Sequence, residues 1–207
     1  LFPEAGLGVL SRRYGIPIYT TEKTADAIQE TKCVGKIPEE LFHPVCAEEA
    51  FTIKDLTVNP MHISHDAADP VGYRFSYGSS HAAVCTDLGT YNDYTVECLK
   101  GMDVLLLEAN HDVNMLQVGS YPYYLKQRIL GNRGHLSNEN SGRLLSRVLH
   151  DNLKKVILGH LSQENNLPEL AYETVRMEID LADNPYHGGD FPIQVAKRNE
   201  VSEMICF

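Results

Sequence analysis

The chain has 207 residues, of which 43% are hydrophobic, and its formal net charge is −10. This length suits one domain with a sizeable core and is short for two, so we expect a single domain over residues 1–207. No apolar run approaches the roughly 20 residues of a membrane helix, and the acidic balance argues against broad adhesion to nucleic acid or anionic lipid.

The first part of the chain is predicted to contain two helices around a short strand. "GLGVLSRRYG" is typical of a helix that ends at Gly15, "IPIYTT" of a buried strand and "TEKTADAIQET" of a polar helix. From Ala50 the pattern changes to period two or short apolar runs. "AFTIKDLTVNPMHI", "GYRFSYG" and "HAAVCTDLG" therefore predict consecutive strands with tight connections.

Helices and buried strands then alternate. "DYTVECLKG", "YPYYLKQRIL", "NENSGRLLSRVLHDNL" and "LPELAYETVRMEI" predict helices, whereas "DVLLLEAN" and "KKVILGH" predict buried strands. "FPIQVAKR" and "SEMICF" predict a pair of edge strands at the end of the chain. This order predicts a layered α/β fold, with sheet packed on sheet and helices outside, rather than a doubly wound sheet.

The five cysteines are scattered and form no CxxC pair. This pattern favours reduced thiols and a cytoplasmic location over a disulfide scaffold. Cys85 and Cys206 lie in strand-like runs and are predicted to be small core residues.

Three polar residues each close an apolar strand and face a loop that contains glycine or serine. His65 ends "NPMHISH", Asp87 ends "AAVCTD" and His160 ends "VILGH". Together they predict a cradle for zinc, manganese or iron, which would supply local positive charge for a phosphate substrate. Taken singly, a strand-end aspartate is also typical of a turn, and a lone histidine is also typical of hydrogen-bonded packing.

A second group of polar residues lies near these strand ends. "LLLEANHD" carries Glu108 and His111 just beyond a strand. "GNRGHLSNEN" carries His135, Ser137 and Asn138 in a loop before a helix, whose free N–H groups are suited to an anion. A well-capped helix start also explains Ser137 and Asn138, but it does not require His135.

Six segments resemble the YycJ/WalJ-type branch of the metallo-β-lactamase-fold hydrolases. They run in order from about Gly6 to about Ala171: "GLGVLSRRYGIPIYTT", "HDAADPVGY", "TDLG", "LLLEANHDVNML", "YPYYLKQRILGNRGHLSN" and "GHLSQENNLPELA". Each segment alone is weak, whereas six in register are specific. The resemblance implies an αββα sandwich with a two-metal site at one edge of its sheets. It also implies a phosphodiesterase activity of the 5′-to-3′ DNA exonuclease type.

The resemblance implies roles for the matched residues. His65 and His160 match metal ligands, and Asp87 matches the aspartate that bridges two divalent ions, zinc or manganese. Glu108 and His135 resemble the glutamate-alanine motif and the histidine-bearing loop of the tRNA 3′-processing endonucleases. That likeness implies that His135 is the general acid for the leaving oxygen and that Glu108 orients it.

One departure concerns HxHxDH, the family's main ligand motif, which is expected immediately before the "GLGVLSRRY" helix. That place reads "LFPEA", so the motif and the first strands of the fold are missing from the sequence. Three interpretations stay open: the chain is a fragment, residues were lost from it, or the protein has discarded its metal site. In the last case it is a non-catalytic binding or scaffold protein that kept the fold.

DNA is the expected substrate and partner, and no membrane partner is expected. Hydrolysis of thioesters or lactams is a lesser alternative within the family. Ser137 and Asn138 are candidates for substrate binding, together with basic residues that cluster around the His135 loop. These basic residues are Lys126, Arg128, Arg133 and Arg143. The alternative is that they form a solvated helix face.

Overall fold

The computed structural model describes residues 3–207, with side chains from residue 6 onward. The first two residues of "LFPEA", which stands where HxHxDH is expected, therefore lie outside the described residues. The helices are α1 Pro3–Tyr14, α2 Glu22–Glu30, α3 Asp93–Leu99, α4 Val113–Val118, α5 Tyr123–Leu130, α6 Asn138–Ser146 and α7 Pro168–Leu181. The strands are β1 Ile18–Thr20, β2 Phe42–Pro44, β3 Phe51–Ile53, β4 Leu56–His62, β5 Val71–Tyr77, β6 Ser80–Cys85, β7 Val104–Glu108, β8 Lys155–Gly159 and β9 Ile193–Val195.

The described residues form one large sheet and one small sheet. The large sheet has seven strands in the order β3-β4-β5-β6-β7-β8-β9, so each strand lies beside its neighbour in the sequence. Strands β3 to β6 pair antiparallel, and β6 to β9 pair parallel. We call β3–β5 the antiparallel half and β6–β9 the parallel half. The small sheet is the parallel pair of β1 and β2.

The main core lies on one face of the large sheet. Strand residues alternate between faces, and Cys85, Leu107 and Leu158 are neighbours across β6, β7 and β8 on this face. All three are fully buried, in one cluster with Leu144 of α6 and Val175 of α7. Burying a leucine side chain contributes about 1.5–3 kcal/mol, so this face fixes the register of the parallel half.

The opposite face of the large sheet is less covered by the described residues. Val84 on this face is 37% exposed, and its neighbours Leu106 and Ile157 are half-buried. The predicted packing of one large sheet on another is therefore not seen within residues 3–207. The predicted mixed α/β order, with strands first and alternation afterwards, is confirmed.

The end of the chain differs from its prediction. "FPIQVAKR" contains β9, which pairs parallel with β8, but "SEMICF" forms neither a strand nor a helix. Cys206 is exposed, so its prediction as a core residue is wrong, whereas Cys85 is buried in the core as predicted. The short apolar run of "SEMICF" lies largely in solvent, where hydrophobic pattern alone cannot create a strand. None of the helices in residues 3–207 is long and apolar enough to cross a bilayer.

Candidate metal centre

The parallel half of the sheet brings three acidic or imidazole side chains to one edge. Glu108 is the last residue of β7, while Asp87 and His160 follow the ends of β6 and β8. Glu108 pairs with Gly159 across the sheet, so the carboxyl ends of β7 and β8 lie level. Such an edge is where open α/β sheets bind their ligands.

Backbone geometry marks two of these residues. The φ angles of Asp87 and His160 are 55° and 58°, in the left-handed region. For a residue with a Cβ atom this conformation typically costs about 1–2 kcal/mol, less for aspartate. Such strain persists where the surrounding structure enforces it, and it clusters at functional sites. Both residues are therefore held in place by more than local preference.

Glu108 is the buried centre of the group. Its Oε1 accepts hydrogen bonds from Nδ1 of His135 at 2.8 Å and Nδ1 of His160 at 2.6 Å. Its Oε2 accepts from the backbone N–H groups of Leu88 at 2.6 Å and Leu136 at 3.3 Å. Burial alone would raise the pKa of Glu108, but the hydrogen bonds from the two histidines lower it below its ordinary value. The carboxylate is therefore ionised and its acceptor sites are occupied.

His160 faces Asp87 with its other ring nitrogen. Because its Nδ1–H donates to Glu108, Nε2 carries the free lone pair, and it lies 3.6 Å from Oδ1 of Asp87. The hydrogen bond to Glu108 outweighs burial and raises the pKa of His160. A histidine oriented by a carboxylate in this way is the usual form of a metal ligand.

His65 approaches the same oxygen from the loop after β4. Its Nδ1 lies 3.0 Å from the carbonyl oxygen of Gly134, which accepts the Nδ1–H, and its Nε2 lies 3.5 Å from Oδ1 of Asp66. That Nε2 lies 3.6 Å from Oδ1 of Asp87. The two loops behind this contact pack closely, since a Cβ on Gly89 would lie 2.5 Å from the carbonyl oxygen of Asn132. Only glycine fits there.

The spacing of these atoms fits metal ions. A tetrahedral ion with ligands at about 2.1 Å separates its ligand atoms by about 3.4 Å. The Nε2 atoms of His65 and His160 each lie 3.6 Å from Oδ1 of Asp87. Two imidazoles on either side of one carboxylate oxygen therefore form a donor set that suits zinc or manganese.

A second, overlapping group of ligand atoms also lies close together. Potential ligand atoms of Asp87, Glu108, His135 and His160 all lie within 4.8 Å of one another, and this group omits His65. We favour His65 over Glu108 as a ligand, because both oxygens of Glu108 already accept hydrogen bonds. Glu108 is better suited to orient the two imidazoles than to bind an ion.

His135 lies beside two of the candidate ligands and is less exposed than His160 and Asp87. Its ring centroid is 5.1 Å from that of His65 and 5.2 Å from that of His160. Its Nδ1–H donates to Glu108, so Nε2 is free, and the side chain lines a cleft of about 880 Å³. The contact that the resemblance implies between His135 and Glu108 is thus a direct hydrogen bond, and Glu108 is buried beneath the site.

Ser137 and Asn138 do not reach the surface of the site. Ser137 is the N-cap of α6, where its side chain accepts the N–H of Asn140. Asn138 is fully buried and exchanges two hydrogen bonds of 2.9 Å with the side chain of Asn166. This placement argues against the predicted substrate-binding role for both residues. They secure the start of α6, which is the simpler explanation that the sequence left open.

The predicted basic residues separate in space. Arg128 lines the cleft and forms a two-bond ion pair with Asp66, one bond of which is 2.8 Å long. This pair holds the pKa of Asp66 at about 2. Arg133 donates to the backbone oxygen of His65 at 3.1 Å. By contrast, Arg143 pairs with Glu178 between α6 and α7, and Lys126 donates to the backbone at the end of α4.

Sequence reasoning missed two cations at the cleft. Lys197 and Arg198 follow β9, and both line the cleft beside His135 and His160. Arg198 donates to the backbone oxygen of Leu161 at 2.7 Å. Because β9 runs parallel to β8, its carboxyl end reaches the same edge of the sheet. Had "FPIQVAKR" been predicted to pair parallel with "KKVILGH", Lys197 and Arg198 would have been expected at this edge. The prediction paired "FPIQVAKR" with "SEMICF" instead.

Comparison with known proteins places this site in a family. A model of the beta-lactamase superfamily domain matches residues 5–160, which is more than half of the 207 residues. The chain belongs to the beta-lactamase superfamily. Its matched part contains Asp87, Glu108 and both histidines that flank Asp87.

Two curated relatives match over most of the chain. The exodeoxyribonuclease WalJ of Streptococcus pneumoniae is 40% identical over 178 residues, which cover 86% of this chain and 66% of that protein. The exodeoxyribonuclease YycJ of Bacillus anthracis is 37% identical over 175 residues, which cover 84% of this chain and 66% of that protein. The chain thus spans 66% of the length of these relatives. They confirm the predicted resemblance to the YycJ/WalJ-type branch.

A solved structure confirms the fold. The metallo-beta-lactamase fold protein YhfI from Bacillus subtilis matches with a TM-score of 0.63 and 16% identity, over 94% of this chain and 68% of its own. At this identity the likeness shows the fold alone. The metallo-β-lactamase-type α/β fold predicted from the sequence is therefore confirmed, and the described residues contain a group able to hold a metal ion.

Proposed function

We propose that the protein is a metal-dependent phosphodiesterase that degrades DNA from an end, as an exodeoxyribonuclease. The observation that carries the proposal is the pair of imidazole nitrogens at 3.6 Å from one oxygen of Asp87, beside a cleft lined by cations. The names of the curated relatives support the choice of DNA. A DNA partner and a cytoplasmic location are parts of this proposal.

Asp87, His65 and His160 would hold two divalent metal ions. The distances of 3.6 Å from Oδ1 of Asp87 to the two Nε2 atoms support these three residues as ligands. Divalent ions bound there would supply positive charge for the attacking and leaving oxygens of a phosphodiester. Glu108 fixes the ring of His160, and the carbonyl oxygen of Gly134 fixes the ring of His65. Both ligands are thus oriented before anything binds.

His135 would donate a proton to the leaving oxygen of DNA. Its Nδ1–H is held by Glu108 at 2.8 Å, so the proton to be donated is carried on Nε2. The carboxylate of Glu108 holds the His135 ring in position for this transfer. A positioned general acid contributes typically about 10²- to 10⁴-fold in rate. Glu108 acts through His135 and His160 and is therefore a positioning residue.

The test separates proton donation from metal binding. His135→Gln is expected to lower the turnover of end-labelled DNA by about 10²- to 10⁴-fold, while bound metal, measured by elemental analysis, stays as in the wild type. Asp87→Asn is expected to lower both metal content and turnover. His150→Gln is a matched control, because His150 bonds to the backbone oxygen of Met102, away from Asp87.

Other results would change the assignment. If His135→Gln lost metal and activity in the same proportion, His135 would be a ligand and not an acid. If the wild-type protein bound no metal and cleaved no DNA, the binding or scaffold protein that the sequence left open would take the place of the enzyme. Cleavage of a thioester or lactam in place of DNA would keep the metal site and replace the substrate.

A further inference from the structure

We propose that the substrate is held as a single strand, with unpaired bases stacked on Tyr121 and Tyr124 along one wall of the cleft. This inference rests on the proposed function, because it assumes that the cleft receives nucleic acid. It adds a binding surface on α5, separate from the residues of the metal centre. The wall is made by α5 and the two residues before it.

Two aromatic side chains are available on this wall. Tyr121, Leu125 and Arg128 line the cleft. Tyr124 precedes Leu125 on α5 and lies four residues before Arg128, next to the residues that line the cleft. The Tyr124 side chain is 74% exposed. In the described part of the chain, no aromatic ring or guanidinium stacks on Tyr121 or Tyr124.

The charge of the cleft is opposite to that of the chain. The chain as a whole carries a net charge of −10. The charged residues among those lining the cleft are Arg128, Lys197, Arg198 and Glu200. Arg128 pairs with Asp66 and Lys197 pairs with Glu200, so the local balance is an excess of one cation, Arg198. Lys197 and Arg198 lie after β9, on a different chain segment from α5. A polyanion could therefore follow the cations while its other side faces the tyrosines.

The combination of tyrosines and cations favours one kind of strand. Base-stacking on aromatic side chains tolerates any sequence, because every base presents a π-face, and it combines with a basic groove in proteins that bind single strands. In a duplex the bases stack on one another, and a tyrosine beside the helix cannot reach those faces. Tyrosines and cations around one cleft therefore fit an unpaired strand better than a duplex.

The aromatic wall lies beside the candidate metal centre. His135 and His160 line the same cleft as Tyr121. A strand whose bases rest on α5 would therefore have a phosphate next to the candidate ligands. This arrangement would hold the nucleotides around the scissile bond without contacts to base edges, so it predicts cleavage with little dependence on sequence.

The experiment measures binding without cleavage. Metal-free protein in the presence of a chelator is titrated into a short fluorescent thymidine oligonucleotide and into an abasic oligonucleotide of the same length. Stacking on an aromatic side chain is worth about five- to 150-fold in affinity per base. We expect Tyr121→Ala and Tyr124→Ala each to weaken binding of the thymidine strand by about tenfold. Binding of the abasic strand should change less than about twofold, because its phosphates remain and its bases are absent.

The helix offers a matched control. Tyr123 is adjacent to Tyr124 and equally exposed, at 76%, but it lines a separate depression with Lys126 and Gln127 on another side of α5. Tyr123→Ala should leave both affinities unchanged. Tyr121→Phe should bind like the wild type, because its ring can still stack. Circular dichroism checks that each variant remains folded.

The outcomes separate the inference from the function on which it rests. If the protein degrades DNA with metal present but Tyr121→Ala and Tyr124→Ala leave the thymidine affinity unchanged, or weaken both strands equally, the stacking surface is wrong and the nuclease stands. If the metal-loaded wild type neither binds nor degrades either strand, both fail. Selective loss of thymidine binding supports both.

Discussion

The two halves of the large sheet differ in the residues that come after their strands. In the parallel half, β6, β7 and β8 lead into Asp87, Glu108 and His160, which meet around one carboxylate. In the antiparallel half, β3 and β4 are joined by a tight turn at Lys54, and β5 and β6 by another at Gly78, where φ is 57° and 58°. The antiparallel half contributes His65, from the loop after β4.

The reason lies in how the strands are connected. Antiparallel neighbours can be joined by a two-residue turn, as between β3 and β4 and between β5 and β6, and only the longer loop between β4 and β5 carries a candidate ligand, His65. Parallel neighbours need a long crossover, so every carboxyl end at one edge is followed by a loop. The candidate chemistry therefore collects at the edge where loops are obligatory, and stability is expected to depend on different residues in the two halves.

The strongest test of this comparison removes the buried carboxylate. Glu108→Ala leaves the backbone N–H groups of Leu88 and Leu136 without their acceptor and both histidines without theirs. Breaking a buried charged network from one side costs about 3–5 kcal/mol. We therefore expect the free energy of unfolding of the metal-free protein, measured by urea denaturation, to fall by that amount.

The matched control lies in the antiparallel half. Asp55 is an exposed carboxylate in the turn between β3 and β4. Asp55→Ala is expected to leave the denaturation midpoint unchanged, since surface substitutions away from special contacts have small effects. If Asp55→Ala cost as much as Glu108→Ala, the two halves would not differ as proposed.

The sequence predicts the ends of the parallel strands better than their partners. "AAVCTD", "DVLLLEAN" and "VILGH" are apolar runs with a polar end, and local pattern suffices to predict a buried strand with a polar residue at or after its end. The pairing of β1 with β2 joins Ile18 to Phe42, and nothing local in either segment predicts it. The helix α4 begins within "LLLEANHDVNML", ends two residues after it and is too short for a periodic signal.

The candidate site, too, could be predicted from the sequence only in part. His65, Asp87 and His160 are visible as strand-end residues, but their common distance of 3.6 Å depends on tertiary packing. Ser137 and Asn138 look equally functional in the sequence, yet α6 buries them as cap and core residues. Ser137 and Asn138 differ from the three strand-end residues because they are buried at the start of α6. A single sequence does not show which residues at a helix start are buried.

A pH series tests the interior of the parallel half at His111, beyond the end of β7. This side chain is 1% exposed, and its Nε2 has no hydrogen-bond partner among the described residues. Burial lowers the pKa of His111 from 6.5 to about 4, against the opposing attraction of Glu108. As the pH falls below 6.5, the unfolded chain takes up this proton before the folded chain does. The contribution of His111 to the free energy of unfolding is therefore fully present above pH 6.5, and it is lost as the pH falls toward about 4.

The expected size follows from the shift. Between pH 6.5 and about 4, the wild type should lose up to roughly 3 kcal/mol of unfolding free energy through His111. His111→Gln should remove this part of the pH dependence, as measured by denaturation at several pH values. His62→Gln, at the exposed end of β4 in the antiparallel half, should retain it. Equal pH dependence in the wild type and His111→Gln would contradict the assignment.

The smallest expected effect concerns backbone conformation. At the turn between β5 and β6, Gly78 has a φ of 58°, and a Cβ there would touch no atom within 4 Å. Gly78→Ala is therefore expected to lower the free energy of unfolding by about 1 kcal/mol through strain alone.

Gly6 in α1 has equally open space and no positive φ. Gly6→Ala should therefore stabilise the protein by up to about 1 kcal/mol, because alanine favours a helix. Opposite shifts in the denaturation midpoint would show that the turn between β5 and β6 relies on glycine for the left-handed conformation. In the parallel half, Asp87 and His160 adopt that conformation with their side chains held at the candidate metal centre. Shifts of the same sign would remove this distinction.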